Sequence, residues 1–220
     1  MNVISYDYPI DNAMTSLRAI MLSATESNWR LFMLRKSDSA FLAFQQAVWW
    51  RDDYTCQFCA FRAVDYLEVV NVDGNYLNNR LDNLVTACGF CTQCFFLESI
   101  GKGTFGGGSL IYCPELTQGE LNALCHVLFV AMINGFACTL QARNLYRSFK
   151  LRHQIVEKEW GEGLSNPALL GCLLVDLPHH NVDTFKGEAL TKLRLLPDMV
   201  RFKTEIEHWS RAALTELIFS

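Results

Sequence analysis

A chain of 220 residues, half of them apolar, is long enough to bury a sizeable core, either as one large domain or as a small module with an extension. A net charge of −4 argues against a nucleic-acid binder, and no apolar run approaches the roughly 18 residues of a membrane span. Nine cysteines with no signal-peptide pattern point to metal-bound thiolates in a reducing cytoplasm rather than to disulfides.

Residues 1–27 are mixed and polar and read as a poorly defined, loosely ordered segment. Trp29 to Arg35 alternates in part and reads as a strand. Ser39 to Trp50 sets Phe41, Phe44, Ala47 and Val48 at helical spacing behind a Ser37, Asp38 or Ser39 cap. Of Trp49 and Trp50, neighbours about 100° apart on a helix, one suits the core and one the surface. Leu67 to Val72 reads as a short strand, Asp73 and Gly74 as a turn, and Leu81 to Ser99 as a helix. The glycine-rich loop at 101–108 lacks the phosphate-loop pattern and follows a helix, so it reads as a connector.

Thr117 and Glu120 form a capping-box match that opens an apolar helix to about Asn134, central to the core and in part facing a partner. His126 within it reads as a satisfied core or groove histidine. A second helix is expected from Thr139 to Trp160, ended by Gly161 and Gly163, with a solvated charged face at Lys150, Arg152, Glu157, Lys158 and Glu159. A third runs from Ser165 to Asp176 and a weaker one from Asp183 to Lys192. His179 and His180 read as a surface turn. Pro197 is expected to open a last helix with Val200, Ile206, Trp209, Ala213 and Leu217 inward.

The chemistry lies in Cys56-x2-Cys59 and Cys88-x2-Cys91, two knuckles separated by 28 residues. Each C-x2-C turn can bring two sulfurs to one ion, so the four cysteines read as the closed tetrahedral site of one structural zinc. Cys94 extends the run but reads as core, with a ligand swap as the alternative. Cys113, Cys125, Cys138 and Cys172 read as small hydrophobes.

The runs RDDYTCQFC at 51–59 and NLVTACGFC at 83–91 resemble the zinc-bearing HNH endonuclease family. That likeness implies a ββα-metal unit braced by the two knuckles. The family's catalytic histidine would fall on Asn71, its loop-pinning residue on Asn83 and its metal-holding histidine on Thr92. Asparagine is no general base near neutral pH, and threonine is a poor ligand for a hard cation. From Arg51 to Glu98, three arginines face seven carboxylates, which ill suits a phosphodiester substrate. The competing readings are a divergent metal-dependent nuclease using Asp73 and Asn71, and a zinc-dependent nucleic-acid binder.

Further runs, VDGNYLNNRL at 72–81, CFFLES at 94–99, GGGSLIY at 106–112, PELTQ at 114–118, LNALCHVLF at 121–129 and YRSFK at 146–150, resemble a family of accessory subunits of Dot/Icm type IVB secretion systems. The likeness spans about Trp29 to Trp209 and leaves the stretch to Ser27 unmatched. It implies a cytoplasmic, non-catalytic scaffold. The scaffold would bind the C-terminal region of the coupling ATPase DotL beside the adaptors IcmS, IcmW and LvgA. It would reach the inner face of the inner membrane only through that complex, and no nucleic-acid partner is implied. The expected architecture is α+β and mostly helical. An HNH-like zinc module covers 28–108 with a preceding strand and helix, and a helical region at 109–220 packs on it.

Overall fold

A computed structural model describes residues 17–176 and 190–219, with side chains described as far as residue 212. Its twelve named strands and α-helices are β1 (Leu67–Asn71), β2 (Leu84–Cys88), β3 (Gly108–Tyr112) and β4 (Leu193–Pro197), with α1 (Glu26–Arg35), α2 (Ser39–Arg51), α3 (Gly89–Thr92), α4 (Gln118–Asn134), α5 (Thr139–Leu151), α6 (His153–Trp160), α7 (Pro167–Asp176) and α8 (Lys203–Phe219). The α+β class and the predominance of helix are as expected.

Residues 29–35 are helical, not extended. Phe32 and Arg35 are buried and Trp29 is half-buried, so the inward residues recur every three positions. The apparent alternation of Trp29, Leu31 and Met33 does not match what is buried. The α2 helix forms as expected, with the Asp38 carboxylate accepting from the Ala40 amide at 2.9 Å. It buries Phe41 and Val48 against Val69 and Leu84. Trp49 packs at that contact, while Trp50 is 78% exposed.

The helix expected over residues 81–99 does not exist. A 3-10 turn at Leu81–Asn83 leads into β2, which pairs antiparallel with β1 from Leu67 opposite Cys88 to Asn71 opposite Leu84. All five β2 residues are buried. Apolar residues buried on both faces carry no period, so helix and strand look alike in sequence. Only the four residues of α3 and two 3-10 turns, Gln93–Phe95 and Leu97–Ser99, remain of that helix.

Two further strands went unanticipated. The β3 and β4 strands pair antiparallel, with Leu110 opposite Leu195. Pro197 therefore ends a strand instead of opening the last helix, and Val200 is 79% exposed. Ile206 and Trp209 are buried as expected, while the side chains of Ala213 and Leu217 lie outside the described residues. The long helix over 139–160 is broken at Arg152 into α5 and α6. His179, His180 and most of the weak helix at 183–192 lie outside the described residues.

Residues 17–25 are not a loose lead-in. The Arg18 amide donates to the Gln57 carbonyl, the Ser23 amide to that of Cys94, and Leu22 is buried. The glycine-rich loop is a held connector. Gln93 accepts from the Gly107 amide, and the Arg201 guanidinium donates to the carbonyls of Gly103 and Gly106. A loop that turns carbonyls to a cation is the opposite of a phosphate cradle.

One apolar core joins the β1–β2 hairpin and α3 to α4, α5 and α8 through Phe90, Leu121, Phe129, Phe149 and Trp209. A second, of Leu97, Leu110, Leu170, Leu174 and Leu195, packs α6 and α7 under the β3–β4 pair. The α4 helix starts at the capping box as expected: the Thr117 hydroxyl accepts from the Glu120 amide, and the Glu120 carboxylate accepts from the Thr117 amide at 2.7 Å. Thr117→Ala is expected to cost about 1 kcal/mol, read as a fall of about 2–4 °C in the thermal midpoint.

Candidate metal centre

The first knuckle is a tight turn in which the Cys56 amide donates to the Phe61 carbonyl and the Ala60 amide to that of Cys56. Ala60 sits at φ 61°, in the left-handed region. The Gln57 amide reaches the Thr86 carbonyl at 2.9 Å, tying the turn to β2. Arg51 and Asp52 anchor the approach. The guanidinium donates to the carbonyls of Leu81 and Leu84, and the carboxylate accepts from the Thr86 amide. The second knuckle lies where β2 ends: Cys88 is still extended and Cys91 is already within α3.

These turns bring the four predicted sulfurs together. All lie within 4.8 Å of one another, and those of Cys59 and Cys88 are 3.7 Å apart. A tetrahedral ion with metal–sulfur bonds of about 2.3 Å needs sulfur–sulfur edges of about 3.8 Å. Each of the four cysteines is at most 4% exposed, and none is in a disulfide. Burial opposes ionisation at Cys56, Cys88 and Cys91. At Cys56 the S–H groups of Cys59, Cys88 and Cys91 outweigh it and hold the thiol well below its ordinary range. Cys88 and Cys91 are pushed well above it by burial, reinforced by their sulfur neighbours. Four buried thiols this close together can all ionise only with a cation among the sulfurs. The residues present fit a soft tetrahedral metal ion.

Cys94 stands outside the cluster. Its thiol donates to the Phe90 carbonyl at 3.3 Å, and burial pushes its pKa far up.

The α4 helix closes the centre from the other side. Gln118, Asn122 and His126, one turn apart, form a buried polar edge on an otherwise apolar helix. The Asn122 amide donates to the Cys91 sulfur at 3.2 Å, and His126 Nε2 lies 3.3 Å from that of Cys88. Gln118 exchanges hydrogen bonds with the Leu195 backbone and donates to Asn122. The His126 ring is stacked between Phe61 and Phe90, with centroids at 3.6 and 4.2 Å. Burial keeps the imidazole neutral, with its pKa pushed down to about 3. The α4 start presses on the first knuckle, since a Cβ at Gly119 would lie 2.3 Å from the Phe58 carbonyl oxygen. Sequence reasoning missed Asn122. The signal was the four-residue spacing of polar residues on an apolar helix.

Of the three positions carried over from the nuclease likeness, Asn71 and Asn83 both donate to the Asn78 carbonyl. Asn71 opens on a cavity of about 270 Å³ with Arg18, Phe58 and Phe95. Thr92 lines another of about 200 Å³ with Glu68, Gly89 and Phe202, and its hydroxyl donates to the Cys88 carbonyl. Asn71 is bonded through both ends of its amide. Its oxygen accepts from the buried Arg35 guanidinium at 2.5 Å, and its amide donates to the carbonyls of Asn75 and Asn78. Arg35 also donates to the Val69 carbonyl and stacks over Phe41 and Tyr76. Burial lowers its pKa, yet only to about 10, so a fixed cation occupies this position near neutral pH.

Asn83 pins the loop at 72–78 by accepting from the Asp73 amide and donating to the Asp73 carboxylate and the Asn78 carbonyl. Both Asp73 oxygens are engaged within that loop. The Asn78 amide, then the Asn75 and Asn83 donors, hold its pKa below the usual carboxylate value.

No family model matches the chain. No helix among the described residues is long and apolar enough to cross a membrane. The type 4 apparatus protein DotN of Legionella pneumophila subsp. pneumophila, strain Philadelphia 1, is 51% identical over 198 residues, which cover 90% of this chain and 92% of that protein. Identity at that level across nearly the whole of both sequences means that this chain belongs to the DotN family.

Proposed function

We propose that the chain is a non-catalytic, zinc-stabilised scaffold subunit of a Dot/Icm type IVB secretion coupling complex. Its role is to hold the C-terminal tail of a DotL-like coupling ATPase beside the IcmS, IcmW and LvgA adaptors, so that effectors can be recruited. The observation that carries this reading is the near full-length likeness to a type 4 apparatus protein. Zinc is assigned to Cys56, Cys59, Cys88 and Cys91 because four converging thiolates favour a soft, tetrahedral, redox-inert ion. Four sulfur ligands leave no position for water, which makes the ion structural.

The nuclease alternative meets a physical obstacle at Asn71. A divalent ion with activated water is disfavoured here, because the Asn71 oxygen already accepts from the Arg35 cation. Asn71, Asn83 and Thr92 are read as relics of an HNH-like frame.

The test pairs metal analysis, DNA cleavage with added magnesium or manganese, and capture by the coupling ATPase tail. About one zinc per chain, no cleavage and retention on the tail are expected. Failure of the tail to retain the chain would refute the partner, and cleavage abolished by Asp73→Ala would make the chain an enzyme.

A further inference from the structure

We infer that the metal centre extends beyond its four sulfurs onto α4, where Asn122 and His126 position and stabilise the thiolates. The ion thereby clamps the C-terminal helices to the β1–β2 hairpin. This rests on the metal reading above.

Buried polar side chains are costly unless partnered, and the Asn122 amide nitrogen and His126 Nε2 both face sulfurs, while the Asn122 oxygen accepts from Gln118. A divalent ion with four thiolates leaves two excess negative charges in a site sealed from water. Among the described residues, the side-chain N–H groups that reach the sulfurs come from Asn122 and His126. A metal-bound thiolate has no proton, so the 3.3 Å contact to Cys88 requires His126 Nε2 to carry the hydrogen. Hydrogen bonds to an ionised acceptor are the strong kind, and removing such outer donors typically weakens metal binding by about 10–100-fold.

The geometry also explains why these donors sit on α4. Asn122 touches the sulfur of Cys91, which lies within α3, and His126 touches that of Cys88, which ends β2. One helix edge thus spans the second knuckle, while Gly119 abuts the first. Gln118, on the same edge, bonds the β4 backbone and donates to the Asn122 oxygen, which orients the Asn122 amide toward the sulfur.

Cobalt(II) bound to the full chain in place of zinc is the probe, through its visible bands and its sulfur-to-metal charge-transfer band. His126→Phe keeps the ring between Phe61 and Phe90 but deletes the N–H. Asn122→Asp keeps the shape but replaces the donor with a carboxylate. Each is expected to weaken cobalt binding by about 10-fold or more and to move the charge-transfer band to lower energy, because the sulfur lone pairs lose a stabilising hydrogen. Asn134→Leu, on the same helix but bonded to the Val130 carbonyl and the Ser210 hydroxyl, is expected to lower the thermal midpoint while leaving affinity and band position unchanged. Unchanged affinity and spectrum in both His126→Phe and Asn122→Asp would overturn the inference. A wild-type chain that binds neither zinc nor cobalt would instead overturn the metal reading beneath it.

Discussion

Cys88→Ser is expected to strip the ion from the centre and to unfold the β1–β2 and α3 region with it. Cys88 ends β2, caps α3, lies 3.7 Å from the Cys59 sulfur and receives His126, so its loss opens every side of the cluster. A structural four-cysteine zinc contributes on the order of 10 kcal/mol to folding, comparable with the total stability of about 5–15 kcal/mol of a typical domain. Three remaining ligands cannot keep most of that. The thermal melt should lose its cooperative transition or shift down by tens of degrees, and metal analysis should fall well below one ion per chain. Cys94→Ser is the control. Its thiol bonds the Phe90 carbonyl and no other cysteine, so metal content should stay unchanged. A Cys88→Ser chain with wild-type metal content and melting point would refute the structural role of the ion.

Gly171→Ala is expected to be the most damaging one-carbon change outside the centre. In an open helix this substitution stabilises by about 0.5–1 kcal/mol. Here α7 lies directly on the turn at Leu97–Ser99, and the new Cβ would sit 2.1 Å from the Glu98 nitrogen and 2.5 Å from the Leu97 carbonyl carbon. These are backbone atoms, which cannot rotate away. The helix must retreat, loosening Leu170 and Leu174 from Leu97 and Leu110. Overpacking of this kind outweighs the propensity gain by about 3 kcal/mol, read as a fall of about 6–12 °C in the thermal midpoint. Metal content should hold, because the centre belongs to the other core. A rise in the midpoint would show that α7 does not need this contact.

Signals local to a few residues were legible in the sequence. The two C-x2-C pairs announced the cysteine cluster, and the Asp38 and Thr117 caps placed α2 and α4. Alternation misled at α1, where Phe32 and Arg35 face inward three residues apart. Residues 84–88 looked like part of a helix because a strand buried on both faces shows no period. The β3–β4 pair was missed because its strands are separated by about eighty residues and stabilise each other only on contact.

By itself, the sequence determined which thiols are available and where two knuckles and two helix caps form. These follow from residue chemistry and short spacing. The tertiary structure alone decided that Arg35 bonds the Asn71 oxygen, and that Asn122 and His126 turn to the sulfurs. Those contacts join residues at least thirty positions apart, and no local preference encodes them. They arise because a buried cation, amide or imidazole must find a partner wherever packing places one.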